Sequence, residues 1–149
     1  MLYNLNVLLT GLVAGFMFSY SLVLGNFFSY LVKLEEYSIF EKFYQKFRTE
    51  NRIPLYYDAV LIAQGVVAFI SLFFHFNNHS ILAQVMAILD FPILILFHKF
   101  TGFFPLEEKL VSGHALTKKE AAHYLRYNLS LHIIYGAVYL LTTFLLLLK

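Results

Sequence analysis

The chain has 149 residues, 60% of them hydrophobic and 13% charged, with a net charge of +2, whereas soluble domains are roughly 45 to 50% apolar. Its charges gather in two blocks, 33–52 and 99–126, with long apolar stretches between them; this excludes an evenly solvated globular surface, and the small basic excess sits in connections, so it is no footprint for nucleic acid. With no cysteine, disulfides, thiolate metal sites and cysteine nucleophiles are excluded.

The first apolar segment, about 5–32, exceeds the roughly 20 residues a span needs, so it tilts or extends past the hydrocarbon. No basic residue precedes it and no small-residue cleavage site follows it, so a retained helix is expected and not a signal peptide. Gly11 and Gly15 form a G-x-x-x-G pair that lets another helix approach closely, inside the bundle or in a helix-mediated oligomer. In the connection 33–52, Tyr37, Phe40, Phe43, Tyr44 and Phe47 recur at helical spacing between charges, which predicts an amphipathic helix resting on headgroups. Pro54 opens a second span over about 55–76, which carries Asp58 and Gln64. A link over 75–80 is too short to be a domain, so the third span, about 81–97, forms a hairpin with the second. Pro92 removes a backbone donor beside Asp90 and predicts a kink there. The connection 99–123 reads as turn-rich at first, through Gly102, Pro105 and Gly113, until Thr117 and Glu120 form a capping box that starts the helix of the fourth span, about 124–148. The expectation is one all-α domain over 1–149, an integral membrane four-helix bundle with an interfacial helix in its first connection.

Orientation follows from the basic residues, which are retained on the cytoplasmic side. Lys33, Lys42, Lys46, Arg48 and Arg52 lie in the first connection and Lys99, Lys109, Lys118 and Lys119 in the last, while the short link and the N-terminal tail have none. Both termini are therefore expected outside the cytoplasm, in a plasma membrane or, in a bacterium, the inner membrane. That direction puts Asn26, Asp58, His98, Arg126, Asn128 and His132 in the cytoplasmic half of the bundle, with Gln64 and Asp90 nearer its middle.

An ionisable group in hydrocarbon normally faces the bundle interior with a partner, and Arg126 is the natural partner for Asp58 or Asp90, since its fork holds a carboxylate by two hydrogen bonds. Tyr124, Asn128, His132, Tyr135 and Tyr139 follow at intervals of three or four and share one helix face. Three readings of this cluster stay open. It is a satisfied polar network that fixes helix register; or a site where Asp58 or Asp90 and His132 exchange protons with a small, partly apolar ligand while Arg126 neutralises an anion or enolate; or a metal or haem site using His98, His132 and a carboxylate, although no H-E-x-x-H spacing supports it. On the second reading Asp58, Asp90, Arg126 and His132 are catalytic and Asn26, Gln64, Asn128 and Tyr135 bind substrate, with no metal set assigned and the cofactor left open. His75 and His79, four apart, read as a solvated turn, and His114 and His123 carry less signal still.

The stretch GLVAGFMFSYS at 11–21, the turn HKFTGFFPLEEKL at 98–110 and RYNLSLH at 126–132, on a chain of this length and layout, resemble the anthrone-oxygenase-like family of small four-span membrane proteins. The family's polar span-four pattern is matched by Arg126, Asn128 and His132, although no tryptophan precedes Asn128 here. The resemblance implies the four-span fold and, because some members act on polycyclic phenolic anthrones without an obvious cofactor, an oxygenase-like or related redox activity. The rival from another class is a non-enzymatic membrane component: a small transporter, an assembly factor or a subunit of a larger membrane complex.

Overall fold

A computed structural model describes residues 1–76 and 80–148; Asn77, Asn78 and His79 of the short link, with Lys149, lie outside the described residues. Four helices are long and apolar enough to cross a membrane: α1 (Leu2–Lys33), α3 (Ile53–His75), α4 (Ile81–Phe100) and α6 (Lys118–Leu147). Between 17% and 39% of each apolar window is buried within the bundle. Most of the apolar surface thus faces outward, which a lipid surrounding satisfies and water does not. The chain is an integral membrane, all-α four-helix bundle. Each span packs on its sequence neighbours and α6 closes back onto α1, so the termini meet at one end, where the Tyr3 hydroxyl donates to the Leu146 carbonyl, and the two long connections meet at the other.

Local sequence explains where the helices start. Thr117 accepts from the Glu120 amide at 3.3 Å while Glu120 reaches back to the Thr117 amide at 2.7 Å, a complete capping box. Ser80 caps α4 by accepting from the Ala83 amide. Pro92 lies inside the single helix α4, where it has no N–H to give the Ile88 carbonyl.

Both long connections are more ordered than their sequences imply. Residues 37–50 form α2, whose middle turn, Phe40–Tyr44, is π-helical. It does not merely rest on headgroups: Phe40 is fully buried, with its ring 5.0 Å from that of Phe28 in α1, while Phe43 and Phe47 stay exposed. The second connection contains a helix where turns were expected, α5 (Phe103–Val111). Gly102 (φ +66°) makes the sharp turn into it, and Pro105 occupies its first turn, where a missing N–H costs nothing. Gly113 (φ +82°) then passes so close to α2 that a Cβ there would lie 2.7 Å from the Glu41 Cα, and Lys109 holds both oxygens of Glu120 at 2.8 and 3.0 Å. The two connections thereby close one end of the bundle as a single lid of helices.

Gly11 is occupied inside the chain, since a Cβ there would meet Thr143 of α6 at 3.4 Å. Of the expected G-x-x-x-G pair, only Gly15 faces open space.

Candidate functional site

Under this lid lies a cavity of about 380 Å³, lined by Tyr20, Tyr44, Arg48, Asp58, Glu107 and His132 among others. Two π-helical turns deliver its tyrosines. The first, Tyr20–Leu24, interrupts α1 and the second is that of α2, so Tyr20 opens one and Tyr44 ends the other. The extra residue in a π turn rotates the helix beyond it and re-aims side chains, a device frequent at functional sites. Asn26 serves the first of them, donating to the Ser21 carbonyl at 2.8 Å and the Leu22 carbonyl at 3.3 Å.

His132 is held from two sides. Its Nδ1 lies 2.7 Å from the Asn128 carbonyl, which can only accept, so Nδ1 carries the proton and Nε2 keeps the basic lone pair. The Tyr20 ring packs over the imidazole at 4.1 Å between centroids. Asn128 positions Tyr20 in turn: it accepts from the Tyr20 hydroxyl at 3.0 Å and donates to the Gly25 carbonyl and Ser29 hydroxyl at 2.9 Å each. Gly25 is required for this approach, because a Cβ would meet the Tyr20 ring at 2.8 Å.

Glu107 is the second centre. Its carboxylate lies 3.8 Å from the His98 Nε2, and the other ring nitrogen of His98 meets the Tyr135 hydroxyl at 3.0 Å. Tyr20, Tyr44, Tyr124 and Tyr135 stand within electrostatic reach of it. Burial pushes the Glu107 carboxyl up to about 7 against the opposing pull of the Arg48 guanidinium, and burial likewise raises the Tyr44 phenol. A carboxyl ionising near neutrality, lining the same cavity as the His132 imidazole, can both give and take protons at physiological pH.

Compared with protein-family models, with curated proteins and with solved structures, the chain matches none.

Several expectations change in the structure. His132 lines the cavity, and Asn128 and Tyr135 hold it together from behind. Asp58 also lines it but is exposed at the mouth, so it needs no buried partner. Arg126 pairs with neither aspartate. It is exposed, with its guanidinium 5.5 Å from the Tyr127 ring centroid, because a residue two positions from Asn128 is turned some 200° away on a helix of roughly 3.6 residues per turn. Asn26 is exposed and spent on the π turn. Gln64 and Asp90 belong to a different, deeper cluster: Gln64 donates to the Thr10 hydroxyl at 3.3 Å and the Ala87 carbonyl at 2.9 Å, and Asp90 lies beside Tyr139 and Thr142. His98 and His132 approach to 5.8 Å between ring centroids, yet among the described residues no three His, Asp or Glu side chains converge as a metal donor set. Sequence reading missed Glu107, Arg48, Tyr20 and Tyr44. The first was recoverable from the apolar spacing of Phe103, Leu106 and Leu110, which puts a helix where turns were read.

Proposed function

We propose that the chain is a small membrane-embedded enzyme of oxygenase-like or related redox type, acting on a partly apolar, ring-bearing substrate held in the lidded cavity. The observation that carries the reading is the His132 imidazole, its Nδ1 proton tied to a backbone carbonyl and its Nε2 left without a proton, on the wall of a cavity that also holds Glu107 and Arg48. A volume of about 380 Å³ lies at the small end of ligand pockets, roughly 300–1,000 Å³. Its tyrosines offer faces for stacking and hydroxyls for phenols.

The resemblance to anthrone-oxygenase-like proteins supplies a reaction these residues suit. His132 Nε2 takes a proton from a methylene flanked by aromatic rings and conjugated to a carbonyl. Arg48 offsets the charge on the enolate oxygen, and the electron-rich enolate reduces dioxygen and combines with it as a peroxide. Loss of water, with Glu107 as proton donor, leaves a carbonyl where the methylene was; the sum is CH2 plus O2 giving C=O plus H2O. On the charge bias of the connections, this cavity faces the cytoplasm and both termini lie outside.

The test is dioxygen uptake and quinone formation from a hydroxyanthrone by the purified protein in nanodiscs. A general base contributes roughly 10²–10⁴-fold, so His132→Gln is expected to lose at least roughly 100-fold of the rate above buffer, with helicity by circular dichroism unchanged. Equal rates for the wild type and the variant would remove this reading.

A further inference from the structure

The bundle holds a second concentration of polar groups that the lidded cavity does not use. Asp90 sits at the tenth of the twenty residues of α4, hence near mid-membrane, and is 4% exposed. Its Oδ2 has no hydrogen-bond partner within 3.5 Å, and neither have five other buried oxygens of the same interior, Gln64 Oε1, Ser71 Oγ, Gln84 Oε1, Tyr139 OH and Thr142 Oγ1; the Thr142 hydroxyl is the one that reaches toward the Asp90 carboxyl. Their elements converge. Gln64 of α3 bonds the Ala87 carbonyl, one turn from Gln84 and one turn from Asp90 on the buried face of α4, and from α6 the Tyr139 and Thr142 side chains lie alongside the Asp90 carboxyl. The buried polar groups on the N-terminal half of α1 are the neutral Asn6 and Thr10. Among the described residues no lysine, arginine, histidine or second acid pairs with Asp90. Ala68, Ala83 and Ala87, all fully buried, keep the helices close without filling the interior with side-chain bulk.

In hydrocarbon every polar group must be satisfied from within, and a carboxylate needs a compensating charge. Here the protein supplies oxygens and no cation. Ser71 and Gln84 lie about two turns from Gln64 and Asp90 along their helices; the nearer set, one carboxyl, one amide carbonyl and two hydroxyls, is the donor chemistry of a hard, singly charged ion, not of a transition metal. We propose that Asp90 is the anionic centre of an intramembrane site, separate from the lidded cavity, that holds one small monovalent cation, a proton or a sodium ion, among these oxygens. Asn6, whose Nδ2 is also buried without a partner, is a donor to water bridging the site.

The chain has two aspartates, Asp58 and Asp90, so Asp58→Asn protein made with carboxyl-carbon-13 aspartate carries its label at Asp90 alone. Infrared spectra of this full chain in nanodiscs are recorded at neutral pH in choline chloride and again after exchange to sodium chloride. The expected result in choline is the carbonyl stretch of a protonated acid. If sodium converts it to a carboxylate, sodium is the ion held; if sodium leaves it unchanged, the ion is the proton. A carboxylate band in choline that shifts with sodium also establishes the sodium site. A carboxylate band in choline that sodium does not move would overturn the proposal. Labelled wild type minus labelled Asp90→Asn must give the same band, which guards against a folding defect in the first variant.

Discussion

Replacing Glu107 with glutamine removes the one group in the lid whose ionisation the fold strongly opposes. In the folded chain this carboxyl ionises at about 7, against 4.5 for an unperturbed one, because it is buried. Between those values the folded chain keeps the proton and the unfolded chain has released it. Stability therefore falls as pH rises from about 4.5 to about 7 and is level above that window. At about 1.4 kcal/mol per pH unit the shift is worth roughly 3 kcal/mol, and the 28% of the side chain that remains accessible reduces it to roughly 2 kcal/mol by screening. Glu107→Gln is neutral in both states. The variant should match the wild type at acidic pH and exceed it by that roughly 2 kcal/mol above neutrality. The chain has no tryptophan, so unfolding by a denaturing detergent is best followed by circular dichroism, at a series of pH values from acidic to alkaline. Parallel curves for the two proteins across the series would refute the reasoning.

Asn128→Leu leaves the Gly25 carbonyl and the Tyr20 hydroxyl without their partner; a loss of roughly 3 kcal/mol in the same unfolding assay is expected. Gly25→Ala drives a Cβ to within 2.8 Å of the Tyr20 ring and should cost roughly 1–3 kcal/mol as overpacking, with weaker ligand binding because the ring no longer lies over His132. Gly113→Ala combines a left-handed φ of +82° with a 2.7 Å approach to the Glu41 backbone and should cost roughly 2 kcal/mol, seen as faster proteolysis of the connection between α5 and α6. For orientation, the cysteine-free chain allows single cysteines at Lys42 and Asn78; an impermeant thiol reagent applied to intact cells should label Asn78→Cys only, and labelling of both or of Lys42→Cys alone would reverse or remove the assignment.

The spans were legible because hydrocarbon imposes a composition no soluble core shares, and the capping box at Thr117 because its two hydrogen bonds need two residue types at one spacing. The face carrying Asn128, His132 and Tyr135 was legible for the same reason of period. What failed were inferences about which partner a side chain meets across helices. Charge alone pairs Arg126 with an aspartate, whereas its position puts it on the far side of α6 from His132. Asn26 reads as a ligand-binding group in sequence because a π turn leaves no clear mark there, and the rotation of α1 beyond Tyr20 turns it outward. Glu107 is hidden in sequence because Gly102 and Pro105 read as loop punctuation, whereas a glycine before a helix and a proline in its first turn are also how a helix begins. The separation of Asp90 from His132 depends on packing depth, and both residues are simply polar and intramembrane when read along the chain.

A ring-bearing ligand is expected to bind in the lidded cavity and not on the exposed face around Arg126. Equilibrium binding of a dihydroxyanthraquinone, followed by its absorbance in nanodiscs, tests this with two variants of the intact chain. Leu61 lines the cavity, so Leu61→Trp fills it, and affinity should fall at least roughly tenfold, about 1.4 kcal/mol, while Arg126→Ala binds as the wild type does. Unchanged affinity in Leu61→Trp together with loss in Arg126→Ala would place the ligand on the exposed face instead.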